Sequence, residues 1–189
     1  MRIIAGKIKG SNLHLTKNKN TRPLKDLVRE SIFNLLKHSN KIPFKFEKSN
    51  VLDLYAGTGS FGLESISRGT QNVFFVENEK ESIKTLEKNI KKLKIKDKTK
   101  IFSDDVFGFL EKKNIHEIKF DLVFCDPPFK LKNIEKLIKL IFNSGMLSKR
   151  GIVILHRNKN TKERTPDCLK IVDERIYGIS KIIFGQFLF

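Results

Sequence analysis

The residues Asp126-Pro127-Pro128-Phe129 follow directly on the apolar run Phe120-Asp121-Leu122-Val123-Phe124-Cys125. Two consecutive prolines have no N–H donors and cannot extend a sheet, so the sequence predicts a stiff turn with outward-facing carbonyls. Asp126 and the carbonyl of Pro127 then stand as two acceptors held close together. A planar NH2 group offers two donors, so the pair suits an exocyclic amine and fixes the direction of its nitrogen. Phe129 adds a flat face on which a base can stack. Taken alone, the same residues read as an acid and a proline stop after a buried strand; a second motif upstream decides between the two readings.

That motif follows Val51-Leu52-Asp53-Leu54, where the chain runs Tyr55-Ala56-Gly57-Thr58-Gly59-Ser60-Phe61-Gly62. Gly57, Gly59 and Gly62 satisfy G-x-G-x-x-G, and Glu77 lies twenty residues beyond Gly57 at the end of the next apolar run. Such a loop binds a nucleotide at the carboxyl edge of a sheet, with the acid on the ribose hydroxyls. A diphosphate needs a helix N-terminus free of neighbouring anions. Asp53, four residues before Gly57, would repel one. It suits instead the positively charged amino-acid end of S-adenosylmethionine. Strand-Asp-x-x-x-Gly-x-Gly followed by an acid resembles the cofactor motif of Rossmann-like methyltransferases. On that reading Tyr55, Gly57 and Gly59 line the cofactor, and Glu77 binds both ribose hydroxyls. Ser103-Asp104-Asp105-Val106 offers an acid to the adenine amine, Asp105 ahead of Asp104, with one of the two expected to be a helix N-cap.

These residues need a scaffold, and the sequence supplies one. Helical spacing of Leu24, Leu27, Val28, Ile32, Leu35 and Leu36 predicts an amphipathic helix over 23–37, with Arg22, Lys25 and Arg29 on its polar face. From residue 50, short apolar strands (51–54, 73–76, from 101, 120–125, 151–155) alternate with helices (61–67, around 83–93, 106–112, 134–142). An antiparallel hairpin across Gly178 ends the chain. The expected fold is α/β and Rossmann-like: a mostly parallel sheet with an antiparallel edge hairpin, helices on both faces, and a short N-terminal β-arm and helix. The arm pairs residues 2–6 with 11–15. We divide the chain into a basic extension, 1–40, and a catalytic domain, 41–189.

Of the formal charge of +17, residues 1–50 hold +9, twelve Lys/Arg against three Asp/Glu. A basic excess concentrated in one segment suits a phosphate-rich partner, with Arg2, Lys7, Lys9, Arg22 and Arg29 as candidate contacts. The lysines from Lys88 to Lys100 read as a solvated helix end. Cys125 and Cys168 have no metal or disulfide spacing, and the four histidines are scattered, so no metal is expected. With no leader-like or long apolar span, the expectation is a cytoplasmic protein away from membranes.

Taken together the sequence resembles the bacterial 16S ribosomal RNA guanine-N2 methyltransferase family. The likeness runs from Arg2-Ile3-Ile4-Ala5-Gly6-Lys7-Ile8-Lys9-Gly10 through Thr21-Arg22-Pro23 and Asp26-Leu27-Val28-Arg29-Glu30 to 53–69, Phe75-Val76-Glu77 and 126–129. The resemblance implies methylation of one guanine N2 amine in 16S rRNA of the small ribosomal subunit by S-adenosylmethionine, with the N-terminal pieces holding RNA and the enzyme acting as a monomer. Leu24 and Lys25 depart from small hydroxyl residues frequent in the family. Rival readings are an adenine-N6 or cytosine-N4 methyltransferase, a protein-glutamine methyltransferase, a non-catalytic RNA-binding assembly factor, and a nicotinamide oxidoreductase. The last leaves Asp53 and the Pro-Pro turn unexplained.

Overall fold

A computed structural model describes residues 1–16, 24–112, 118–161 and 164–189. Seven strands form one sheet: β1 (Asn50–Leu54), β2 (Asn72–Glu77), β3 (Thr99–Ser103), β4 (Phe120–Cys125), β5 (Leu147–Asn158), β6 (Leu169–Tyr177) and β7 (Ser180–Phe187). Their order is β3-β2-β1-β4-β5-β7-β6. The first five are parallel, and β7 runs antiparallel between β5 and β6. Among the described residues the helices are α1 (Asp26–His38), α2 (Ser60–Ser67), α3 (Lys80–Leu93), α4 (Val106–Glu111) and α5 (Ile134–Asn143), with a 3-10 turn at Lys96–Lys98. This is the Rossmann-like architecture expected from the alternating pattern. The strand order reverses between β1 and β4, which opens a crevice at their carboxyl ends.

Strand alternation sorts the core into two layers. Val51, Phe75, Leu122, Phe124, Ile152 and Ile154 face α1, α2 and α3. Leu52, Leu54, Val76, Val123, Cys125, Val153 and Leu155 face α4 and α5. Because the side-chain period is two, Asp53 shares the first layer with Val51, whereas Tyr55, beyond the strand, packs against the second. Cys125 is a buried core residue, and desolvation raises its thiol pKa, so it is not primed as a nucleophile.

The N-terminal arm folds back as expected, with Arg2 bridged antiparallel to Asn12. It is then fastened to α2: the amides of Ile4 and Ala5 donate to the two oxygens of buried Glu64 at 2.7 and 3.0 Å. Arg68 Nε donates to the same carboxylate at 2.8 Å. Gly6 has φ +89, and a Cβ there would collide with the Ser67 carbonyl, so the close approach of arm to helix needs glycine. Ile3 and Leu13 enter the same apolar cluster as Val51 and Phe61.

Helix α1 differs from its expected orientation. Leu27 is 68% exposed, while Arg29 is wholly buried. Arg29 lies on the stripe of Ile32, Phe33 and Leu36, spaced three, four and seven residues on, and the arm covers that stripe. Its Nη2 donates to the Arg2 carbonyl at 2.6 Å and to Asp26 at 3.0 Å, with Glu64 3.9 Å from Nε. Desolvation lowers its pKa, opposed by the charges of Asp26 and Glu64. Arg29 is therefore an internal strut and not a phosphate contact.

Candidate active site

Each residue of the crevice owes its place to a strand end. Asp53, the penultimate residue of β1, is 1% exposed, and its Oδ2 accepts from the amide of Gly62 at 3.0 Å. Gly62 lies so close to Phe75 and Val73 that any Cβ would strike the ring, and its absence lets α2 dock on the sheet. Gly59 caps α2 at φ +83, tight against Leu86. Gly57, at φ +56, has nothing within 4 Å of where a Cβ would stand, so its backbone faces open space. Tyr55 also takes a left-handed conformation, φ 59, unusual for a bulky residue and costing about 1–3 kcal/mol. Tyr55 is among the residues lining the cavity, and burial raises its phenol well above the usual range.

A cavity of about 260 Å³ sits here, lined by Asp53, Tyr55, Gly57, Phe61 and Asp126, together with Leu15 and Leu24 from the N-terminal region. Phe61 stacks on Phe124 at 3.8 Å between centroids, forming an apolar floor. Burial pushes the Asp53 carboxyl well above its ordinary range; the Gly62 amide opposes this, and the charges of Asp126 and Glu77 add to it. A buried acid short of counter-charge is a receptor for a cation. That buried carboxylate and the open cradle at Gly57 fit the ammonium-bearing end of S-adenosylmethionine.

Glu77 and the candidate adenine contacts Asp104, Asp105 and Val106 already have partners within the protein. Glu77 Oε2 accepts from Gly57 at 2.7 Å, and Oε1 accepts from Asn78 and Glu79, each at 2.9 Å. A carboxylate has about four acceptor sites, and these amides occupy three of them on Glu77. Asp105 is the helix cap: its Oδ1 accepts from Phe107 at 2.9 Å and Gly108 at 3.2 Å. Asp104 pairs with Lys112. Val106 is buried in the second core layer, so only its backbone could meet a ligand.

Asp126 follows β4 beside the cavity, with its side chain 21% exposed. The turn after it is not arranged as its prolines suggested. Arg157, completely buried at the end of β5, donates to the carbonyls of Pro128 at 3.0 Å, Phe129 at 3.3 Å and Leu131 at 2.9 Å, with Pro127 at 3.5 Å. The carbonyls thus turn inward onto a guanidinium. The Pro127 oxygen lies only at the margin of hydrogen bonding to it, which keeps it as a candidate second acceptor. Next to Arg157, His156 approaches Asp126, with Nδ1 2.8 Å from Oδ1. Neither His156 nor Arg157 was singled out from the sequence. Their signal was there: polar residues immediately after the apolar run of a parallel strand lie at the ligand edge of the sheet.

Of the expected RNA contacts, Arg2, Lys7 and Lys9 are exposed on the arm. Arg22 lies outside the described residues, and Arg29 is buried as described above. Asn89, which sequence reading passed over, is fully buried in α3. Its Oδ1 accepts from His14 N at 2.7 Å, and its Nδ2 donates to the carbonyls of His14 and Thr58, both at 3.1 Å. One amide therefore joins the arm to the glycine loop.

A doubly wound sheet, a glycine loop after β1 with an acid ending β2, and an acidic Pro-Pro turn after β4 define a Rossmann-like class I methyltransferase fold. A family described as "Conserved hypothetical protein 95" matches residues 1–186. The ribosomal RNA small subunit methyltransferase D of Haemophilus influenzae is 31% identical over 180 residues, covering 95% of this chain and 90% of its own. YlbH of Bacillus subtilis, described provisionally as an rRNA methyltransferase, is 31% identical over 183 residues, or 96% of each chain. The solved structure of Escherichia coli yhhF, described provisionally as a methyltransferase, superposes with a TM-score of 0.84 at 26% identity, covering 99% of this chain and 97% of that one. The chain belongs to the family of these small-subunit rRNA methyltransferase D proteins.

Proposed function

We propose that this protein transfers the methyl group of S-adenosylmethionine to the exocyclic N2 amine of one guanine in 16S rRNA of the small ribosomal subunit. The observation that carries the reading is a single cavity bounded by two carboxylates of different character. Asp53 is buried and needs a cation, while Asp126 is partly open and offers an acceptor to an amine. The family relationship supports rRNA as the substrate.

When bound, the cofactor supplies an electrophilic methyl group on a positively charged sulfur. Asp53 would hold its amino-acid end, Glu77 a ribose hydroxyl, and the Asp104–Val106 stretch its adenine. Asp126 accepts one N–H of the substrate amine, directing the nitrogen lone pair at the methyl carbon. Phe129 stacks on the base. Transfer would break the methyl–sulfur bond, leaving the cofactor as a neutral thioether, and the methylated nitrogen would lose one proton, which Asp126 can receive on its free oxygen. Little acid–base power is needed, because orientation supplies much of the rate. The exposed Arg2, Lys7 and Lys9 face RNA phosphates.

Nucleoside analysis after enzymatic methylation of unmodified small subunits tests this reading. N2-methylguanosine is the expected product. N6-methyladenosine or N4-methylcytidine would keep the chemistry of Asp126 and replace the base.

A further inference from the structure

Asp126 has a partner that the amine chemistry does not by itself require. His156 leaves β5 on the same sheet face as Ile154, with Nδ1 2.8 Å from Asp126 Oδ1 and Nε2 2.9 Å from Ser180 Oγ of β7. Its ring also stands edge-on to Phe129, at 5.3 Å and 81°. His156 and Ser180 are both 7% exposed, so these contacts are shielded from competing water. A carboxylate only accepts, which assigns a hydrogen to Nδ1, while Nε2 and the Ser180 hydroxyl share the second hydrogen bond. Among the described residues, Asp126, Ser180 and the Phe129 ring contact this imidazole, and Arg157 lies on the opposite face of β5.

Resting on the methyl-transfer reading above, we propose that His156 is a positioning residue. It holds Asp126 Oδ1 so that Oδ2 is presented to the substrate amine, and it sets the tilt of the stacking face at Phe129. An aspartate's terminal torsion is broad, and nothing in the Asp-Pro-Pro backbone fixes it. Arg157 rigidifies the turn through its carbonyls, but the carboxylate itself is oriented by the imidazole. Ser180 in turn fixes the imidazole, so the antiparallel strand β7 reaches the reacting centre through a two-bond relay. A misplacement of the order of 1 Å at such a centre costs about 100-fold in rate.

The test compares His156→Phe, His156→Asn and His156→Gln in labelled methyl transfer to unmodified small subunits, with cofactor affinity and melting midpoint measured alongside. Phe keeps the ring and removes both nitrogens; kcat is expected to fall ~10- to 100-fold, with cofactor affinity and KM for subunits changed less than about threefold. The amide nitrogen of Asn falls where Nδ1 stands and should restore most of kcat, whereas that of Gln falls nearer Nε2 and should not. Ser180→Ala, which removes only the distal contact, should lower kcat several-fold. Wild-type rate in the Phe variant, or equal recovery by Asn and Gln, overturns the proposal. Failure of the underlying reading looks different: the wild-type protein would then not methylate subunits at all.

Discussion

Two carboxylates, one strand apart, bound the cavity and differ in what they can bind. Replacing Asp126 by Ala should reduce transfer below about one part in a hundred while cofactor affinity stays within a few-fold, because its role is realised only when the amine is bound. Retained transfer would remove it from the chemistry. Asp53 makes a different prediction. Its carboxyl is held well above the ordinary range by burial, so the folded protein binds that proton more tightly than the unfolded chain. The associated stability is full below the unfolded carboxylate range and declines as pH rises toward the folded value. Asp53→Asn keeps an acceptor for Gly62 and cannot ionise. The unliganded variant's melting midpoint should therefore decline less between about pH 4 and pH 8 than the parent's, while cofactor affinity drops at least about tenfold through loss of the charge. Parallel pH profiles would contradict the assignment.

At the scale of elements, the sheet and its glycine loop were legible because they are written in local pattern. The run Phe120–Cys125 is apolar enough to bound itself, and the observed β4 has those ends. Gly62 declared the docking of α2 through its place in the motif. The misses share one cause: partners far apart in sequence. Arg29 lies three, four and seven residues before Ile32, Phe33 and Leu36, which placed it on the apolar stripe, yet besides Asp26 of its own helix its polar partners, Arg2 and Glu64, lie on other elements. Strand β5 was expected to stop at Leu155, because His156 and Arg157 look like loop residues until Asp126 and the Pro-Pro turn are brought beside them. The Arg157 clamp predicts that Arg157→Met, of similar length and without donors, strands at least three carbonyls and destabilises the protein by about 3 kcal/mol in denaturant melts. A loss under about 0.5 kcal/mol would mean that water replaces the guanidinium freely.

Viewed as a whole molecule, the protein joins a basic N-terminal arm to a methyltransferase sheet through buried polar contacts at Glu64 and Asn89. Charge on the arm's surface and charge in its anchor should separate cleanly in RNA binding. Neutralising Lys7 or Lys9 should lower affinity for 16S rRNA and flatten its logarithmic salt dependence by about one unit of slope per lost phosphate contact. Arg29→Met should instead lower the melting midpoint, with a salt slope near the parent's for protein that remains folded. A slope change at Arg29 matching that at Lys7 would place the arginine outside, contrary to its burial.

We propose that the cavity between Asp53 and Asp126 methylates an amine of small-subunit rRNA. The most direct test is labelled methyl transfer from S-adenosylmethionine to small subunits lacking the modification, run to completion with the parent protein and with Asp126→Ala. The account predicts about one methyl group per subunit, recovered as N2-methylguanosine at a single position, and almost none with the variant. Measurable cofactor binding without transfer to subunits or to free 16S rRNA would leave the fold standing and contradict the substrate.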